Sequence, residues 1–123
     1  MDMFINDLQE RLSAPLPGRA AQVKMANIRR IEELGLSYTI PEHVKIASVL
    51  VLFHQSDEDA DWRIVLIQRS ANPLDRHSGQ VSFPGGRVEA DDLSLAAAAQ
   101  REAHEEVGVP PAKVEIKIGR AHV

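Results

Sequence analysis

The chain has 123 residues, 44% of them hydrophobic, which is enough for one core and leaves no room for a separate substrate domain. Eighteen acidic against fourteen basic side chains give a net charge of -4, which excludes the basic footprint of a nucleic-acid binder. There is no cysteine, so disulfides, thiolate metal sites and cysteine nucleophiles are excluded together. The longest apolar run, around Ile46 to Phe53, is far short of a membrane span. The opening Met-Asp-Met-Phe-Ile-Asn-Asp lacks the basic region of a signal peptide, so a cytoplasmic protein with no membrane association is expected.

Within residues 2 to 13, Phe4, Ile5, Leu8 and Leu12 recur at helical spacing between polar residues, which predicts an amphipathic helix ending before Pro15. Leu16-Pro17-Gly18-Arg19 reads as a turn, and Ala20 to Leu34 has helical character again. Residues 1–43 are therefore expected to form a helical segment packing on a core of residues 44–123. The rival reading of this segment places Arg19, Lys24, Arg29 and Arg30 against substrate phosphates, which arginine suits geometrically.

Val44 to Phe53 is β-branched and almost continuously apolar, the pattern of a strand buried on both faces. Residues 55–61 form an acidic hairpin loop that lacks the glycine and closing glutamate of an EF-hand, and Trp62 to Gln68 is the returning strand. Residues 69–79 are a polar loop in which Pro73 and Gly79 interrupt regular structure and Arg69, Arg76 and His77 gather donors. Gln80 to Phe83 is a short strand leading into Pro84-Gly85-Gly86, read as a glycine turn where the backbone can approach a phosphate closely.

A helix follows, capped at its start by Asp92 or Ser94 and at its end by Gly108. Ala96, Ala99, Ala103 and Val107 make a narrow apolar stripe for close packing against a sheet. Glu102, Glu105 and Glu106 lie at i, i+3 and i+4 and so share one face, near the helix end where the dipole is already negative. A cation relieves that repulsion. Hard divalent ions such as Mg2+ take a few carboxylates, with waters and substrate phosphates in the remaining positions, so the triplet reads as a metal platform for a phosphorylated ligand. His104 projects away from the acids. Pro110-Pro111 stops the helix, and Val114, Ile116 and Ile118 alternate with charged residues as a half-buried strand.

Gly86, position 92, and then Arg101-Glu102-Ala103-His104-Glu105-Glu106-Val107-Gly108-Val109 resemble the Nudix box: Gly, five residues, Glu, seven residues, Arg-Glu-apolar-any-Glu-Glu-any-Gly-apolar. The second half matches at every specified position. In the first half, Asp92 stands for the first Glu and eight residues separate it from Arg101. Arg69-Ser70 and His77-Ser78-Gly79-Gln80-Val81-Ser82-Phe83-Pro84-Gly85-Gly86 further resemble the Nudix subfamily that hydrolyses coenzyme A, whose members often carry the same extension. Departures from that subfamily fall at Val65-Leu66-Ile67-Gln68-Arg69 and around Leu74-Asp75-Arg76.

The resemblance implies an α+β fold, an α/β/α sandwich with a mixed sheet. It implies Mg2+ or Mn2+ held mainly by Glu105 and Glu106, Glu102 as a third ligand or the base, and Arg101 orienting the cluster by a salt bridge, with Asp92 as its structural partner. Arg69, His77, Gly79 and Gln80 would choose the substrate, and Gly85 and Gly86 would approach its phosphates. The implied reaction is metal-assisted hydrolysis of coenzyme A or a derivative to 3',5'-ADP and 4'-phosphopantetheine. Alternatives are another nucleoside diphosphate derivative, such as ADP-ribose or a dinucleotide, or an inactive Nudix-like binding fragment. Compared with the family, the chain is expected to be truncated after Val123, with a homodimer as one way of covering the exposed surface.

Overall fold

The computed structural model describes residues 2–25 and 42–117. It divides into two compact units, Met1–Val44 with Ile116–Val123, and Lys45–Glu115. Arg29 and Arg30, the helical reading through Leu34, and Ile118 onward lie outside the described residues, as does the Arg19 side chain.

In the first unit, helix α1 spans Met3–Ser13. The Asp2 side chain caps it by accepting from the Phe4 N–H at 2.7 Å, satisfying one of the donors a helix start leaves open. The helix stops where Ala14 turns extended ahead of Pro15, a residue whose ring disfavours helical geometry in the residue before it. Gly18 has φ 65° and opens α2, Gly18–Gln22, which tightens into a 3-10 turn at Val23–Met25. The turn predicted at Leu16–Arg19 is irregular backbone at Leu16 and Pro17 and helix from Gly18 on.

The second unit contains β1 (Ala47–Val49), β2 (Phe53–Gln55), β3 (Trp62–Ile64), β4 (Ile67–Gln68), β5 (Val81–Ser82), β6 (Gly85–Arg87) and α3 (Leu95–Val107). The strands pair antiparallel as β1 with β6, β2 with β3 and β4 with β5. The chain is α+β, and its ladders among the described residues are short and antiparallel.

The single strand expected over Val44–Phe53 is two strands, because its halves pair with different partners. Its first half runs against β6, the Leu50 N–H donates to Pro84 O at the changeover, and Leu52 O then accepts from Val65 N–H beside β3. The returning segment Trp62–Gln68 splits into β3 and β4 for the same reason. Pro84 has no N–H to give a ladder, so β5 and β6 also separate there.

Burial alternates only over residues 48–52, which corrects the expectation of two buried faces, and Val44 and Ile46 are exposed as well. Ser48, Leu50 and Leu52 turn inward, whereas Val49 and Val51 are exposed. Helix α3 covers the inner face, and the Ser48 hydroxyl donates to Leu95 O at 2.9 Å. The buried apolar side chains are Leu50, Ala98, Ala99 and Ala103, with Pro84 enclosed as well. Ala98 joins Ala99 and Ala103 at the centre of the contact, while Ala96 and Val107 of the predicted stripe are only half-buried.

Ser94 caps α3 by accepting from the Ala97 N–H at 3.0 Å, and Gly108 ends it in the left-handed region with φ 75°. Beyond it, Pro111–Lys113 is a 3-10 turn. Val114 is extended at φ -109°, ψ 121°, but residues 114–117 form no ladder with another described segment. No strand is assigned to residues 114–117, and the rest of the strand predicted there, from Ile118, lies outside the described residues. No helix among the described residues is long and apolar enough to cross a membrane.

Candidate metal and phosphate site

The site grows from the contact between β6 and the last two turns of α3. Gly85 and Gly86 are not a turn: they are the first residues of β6, opposite Val49 and Ser48. What requires glycine is close approach. A Cβ on Gly85 would strike the Ser48 carbonyl oxygen and lie 2.6 Å from Val49 Cα, while a Cβ on Gly86 would lie 2.6 Å from Glu102 Cδ and 2.7 Å from its Oε1. Gly86 thus makes room for the Glu102 carboxylate against the strand. Next to it, the Gly85 N–H donates to Glu106 Oε1 at 2.9 Å. Two carboxylates from successive helical turns are thereby placed on one strand.

Arg101 organises the other side. Its Nε and Nη2 donate to the two oxygens of Asp92 at 2.9 and 3.0 Å, a bidentate pair in which the Asp92 side chain is only 6% exposed. Nη2 also donates to Arg87 O at 3.1 Å, and Nη1 reaches Glu102 Oε1 at 3.1 Å and Glu105 Oε1 at 3.3 Å. Glu89 lies further out, 3.8 Å from Nη1. Asp92 additionally accepts from the Glu89 N–H at 2.7 Å. One guanidinium therefore joins the loop before α3, the end of β6 and two of the three glutamates.

Arg101 and then the Glu89 N–H hold the Asp92 carboxyl below its ordinary value of 3.8. Arg101 is pushed up in turn, chiefly by its bond to Asp92. A depressed carboxyl pKa contributes stability that is fully present above the unfolded value and is lost as pH falls through the folded one. Thermal melts recorded from pH 7 downward should show wild type losing its advantage over Asp92→Asn below about pH 4. Parallel curves over the whole range would mean that the pair contributes nothing to folding.

Glu102 is 19% exposed and Glu105 59% exposed. Among the described residues, no three His, Asp or Glu side chains converge into a ready-made metal cage. Glu102 and Glu105 face Arg101, and Glu106 faces the Gly85 N–H. The donor set still fits a hard divalent cation: it is all oxygen and all anionic. Mg2+ is commonly held by one or two carboxylates together with substrate phosphates rather than by a complete protein cage.

The remaining sequence-predicted residues, Arg69, His77, Gly79 and Gln80, form a second network around β4 and β5. The Arg69 N–H donates to Gln80 O at 2.9 Å and the Gly79 N–H to Arg69 O at 3.1 Å. His77 Nδ1 pairs with Gln80 Oε1 at 3.1 Å, and Gln68 Nε2 donates to Gly79 O at 3.2 Å. Gly79 takes φ 76°, a left-handed angle that suits glycine. Arg69 Nε and Nη2 donate to Asp75 Oδ2, and Asp75 Oδ1 accepts from the His77 N–H. Asp75 was not among the sequence-predicted site residues. The available signal was an Asp two residues before His77 in a turn, the spacing at which Asp side chains accept from the main chain.

Away from both networks, a groove of about 470 Å³ is lined mainly by Leu52, Val65, Val107, Val109 and Val114, with His54 and Lys113. It contains no carboxylate and does not suit a metal-bridged phosphate.

Comparison with known proteins gives the family. Over 52 residues, 42% of this chain, the sequence is 56% identical to an uncharacterised Nudix hydrolase, NudL, of Enterobacter sp. strain 638, and the match covers 27% of that protein. NudL of Citrobacter koseri is 58% identical over 53 residues, 43% of this chain and 27% of that protein. Nudix hydrolase 15, mitochondrial, of Arabidopsis thaliana is 44% identical over 72 residues, 58% of this chain and 25% of that protein. The matches thus span about a quarter of these relatives' length. The NUDIX domain model matches residues 31–120, most of the chain, and on that match the chain belongs to the Nudix family.

Proposed function

We propose that this chain hydrolyses the pyrophosphate linkage of coenzyme A or a coenzyme A derivative, giving 3',5'-ADP and 4'-phosphopantetheine, with Mg2+ or Mn2+ held by Glu102, Glu105 and Glu106. The observation that carries the reading is the clamp of α3 onto β6, with Glu106 on the Gly85 N–H and Glu102 against Gly86. It holds two carboxylates against Gly85 and Gly86, next to the exposed Glu105, as an all-oxygen set that a metal-bridged phosphoanhydride can meet. A bound divalent ion supplies charge neutralisation and a water of lowered pKa.

The chain's own residues do the positioning, which is most of what phosphoryl-transfer catalysis needs. Arg101 fixes Glu102 and Glu105 relative to Asp92 and β6, and Glu102 serves as third ligand or as the base. Arg69, His77, Gly79 and Gln80 present donors and backbone from one loop and help choose the substrate. The coenzyme A assignment rests on that loop and on its resemblance to the coenzyme A subfamily.

Product analysis by chromatography, after incubation with Mg2+ or Mn2+ and coenzyme A, tests the reading. Release of 3',5'-ADP, absent with Glu105→Gln, is the expected result. Turnover of ADP-ribose or a dinucleotide but not coenzyme A would replace the substrate and keep the chemistry. Binding of these compounds without any hydrolysis would replace the enzyme with a binding module.

A further inference from the structure

We propose that Asp75 is a positioning residue for the substrate, fixing the Arg69 guanidinium within the loop of residues 69–80 so that it meets the pyrophosphate already oriented. The inference rests on the reading of that loop as the substrate-selecting element.

Three bonds converge on this one carboxylate. Oδ2 accepts from Arg69 Nε at 3.1 Å and Nη2 at 2.9 Å, while Oδ1 accepts from the His77 N–H at 2.9 Å. The His77 ring is held in turn by Gln80, whose carbonyl accepts from the Arg69 N–H. The Asp75 side chain is 23% exposed against 42% for Arg69, so the arginine is the more accessible of the pair. The His77 N–H and then Arg69 hold the Asp75 carboxyl below its ordinary value, and it is ionised at neutral pH.

A guanidinium carries five N–H donors, of which Asp75 engages two, leaving three for phosphate oxygens. An unanchored arginine loses rotamer freedom when it binds, and anchoring it beforehand reduces that cost. The carboxylate also subtracts positive charge near the substrate, which acts in the opposite direction. The His77 N–H fixes the carboxylate that anchors Arg69, so preorientation of the guanidinium outweighs the lost charge.

Asp75→Asn separates these contributions, because asparagine keeps an acceptor for the His77 N–H and gives up the charge that holds Arg69. Steady-state hydrolysis of coenzyme A should show KM raised about tenfold, with kcat within about twofold. In the Arg69→Ala background, the same substitution should change KM by less than about twofold. An unchanged or lower KM, or an equal rise without Arg69, overturns the proposal. If wild type binds coenzyme A without hydrolysing it, the proposed function fails, and calorimetric titration decides the inference. A Kd raised about tenfold by Asp75→Asn then supports it, whereas an unchanged Kd or no binding by any variant overturns it.

Discussion

Glu105→Gln is expected to lower hydrolysis by about 10³-fold while leaving the melting temperature almost unchanged, because a metal ligand contributes several kcal/mol of transition-state stabilisation. Glu105 is the cleanest place to look for this separation. Its carboxylate is 59% exposed, and its contact with Arg101 is the longest of the hydrogen bonds that arginine makes, at 3.3 Å. Substitutions at such positions usually stay within about 0.5 kcal/mol of wild-type stability. Glutamine keeps the shape and an acceptor oxygen but removes the charge a divalent ion requires. Loss of activity with an unaltered melt would assign the residue to chemistry. Retained activity would take Glu105 out of the ligand set and leave Glu102 and Glu106 to hold the ion.

The second large effect distinguishes two adjacent glycines. Gly85→Ala should lower the melting temperature by roughly 5–10 °C, since the added methyl meets the backbone of β1, and overpacking of this kind costs about 1–3 kcal/mol. Its obstacles, the Ser48 carbonyl oxygen and Val49 Cα, belong to the paired strand and cannot swing aside. At Gly86 the nearest atoms are the far end of the Glu102 side chain, 2.6 to 2.8 Å away, which can rotate off at little cost to the fold. Gly86→Ala should therefore melt within about 3 °C of wild type yet lose roughly 10- to 100-fold in turnover, because a displaced catalytic group costs that much. Differential scanning calorimetry beside steady-state rates reads both outcomes. If the two variants lose stability equally, Gly86 is an ordinary packing glycine and its link to Glu102 has no functional weight.

Both predictions depend on α3 being rigidly seated on β6, and much of that seating was readable from local pattern. The capping Gly108, the buried Ala99 and Ala103 and the carboxylates at i, i+3 and i+4 follow from helix-end chemistry and a 3.6-residue repeat, while of the two start caps on offer, Asp92 and Ser94, the structure uses Ser94. A helix fixes its neighbours within one or two turns, so their mutual placement follows from spacing. Asp92 as the partner of Arg101 was also legible, through the resemblance of residues 86–109 to the Nudix box. Where the same reading went astray was in the strands. Val44–Phe53 contains apolar residues on both faces, and composition alone could not reveal that Val49 and Val51 are exposed or that the partner strand changes between Val49 and Phe53.

By itself, the sequence determined that this is a small acidic chain without cysteine, that a helix starting after Asp92 or Ser94 ends at Gly108, and that this helix carries an ordered set of three carboxylates and an arginine. These are properties of composition and of contacts within a few residues. Tertiary structure alone decided that Gly85 and Gly86 are strand residues rather than a turn, one yielding to backbone and the other to Glu102. It alone joined Asp75 to Arg69, and it alone turned Glu106 toward the Gly85 N–H. The physical reason is that strand pairing and side-chain clamps join residues that no short period relates. Which donor meets which acceptor is fixed only when the ladders and the helix are packed together.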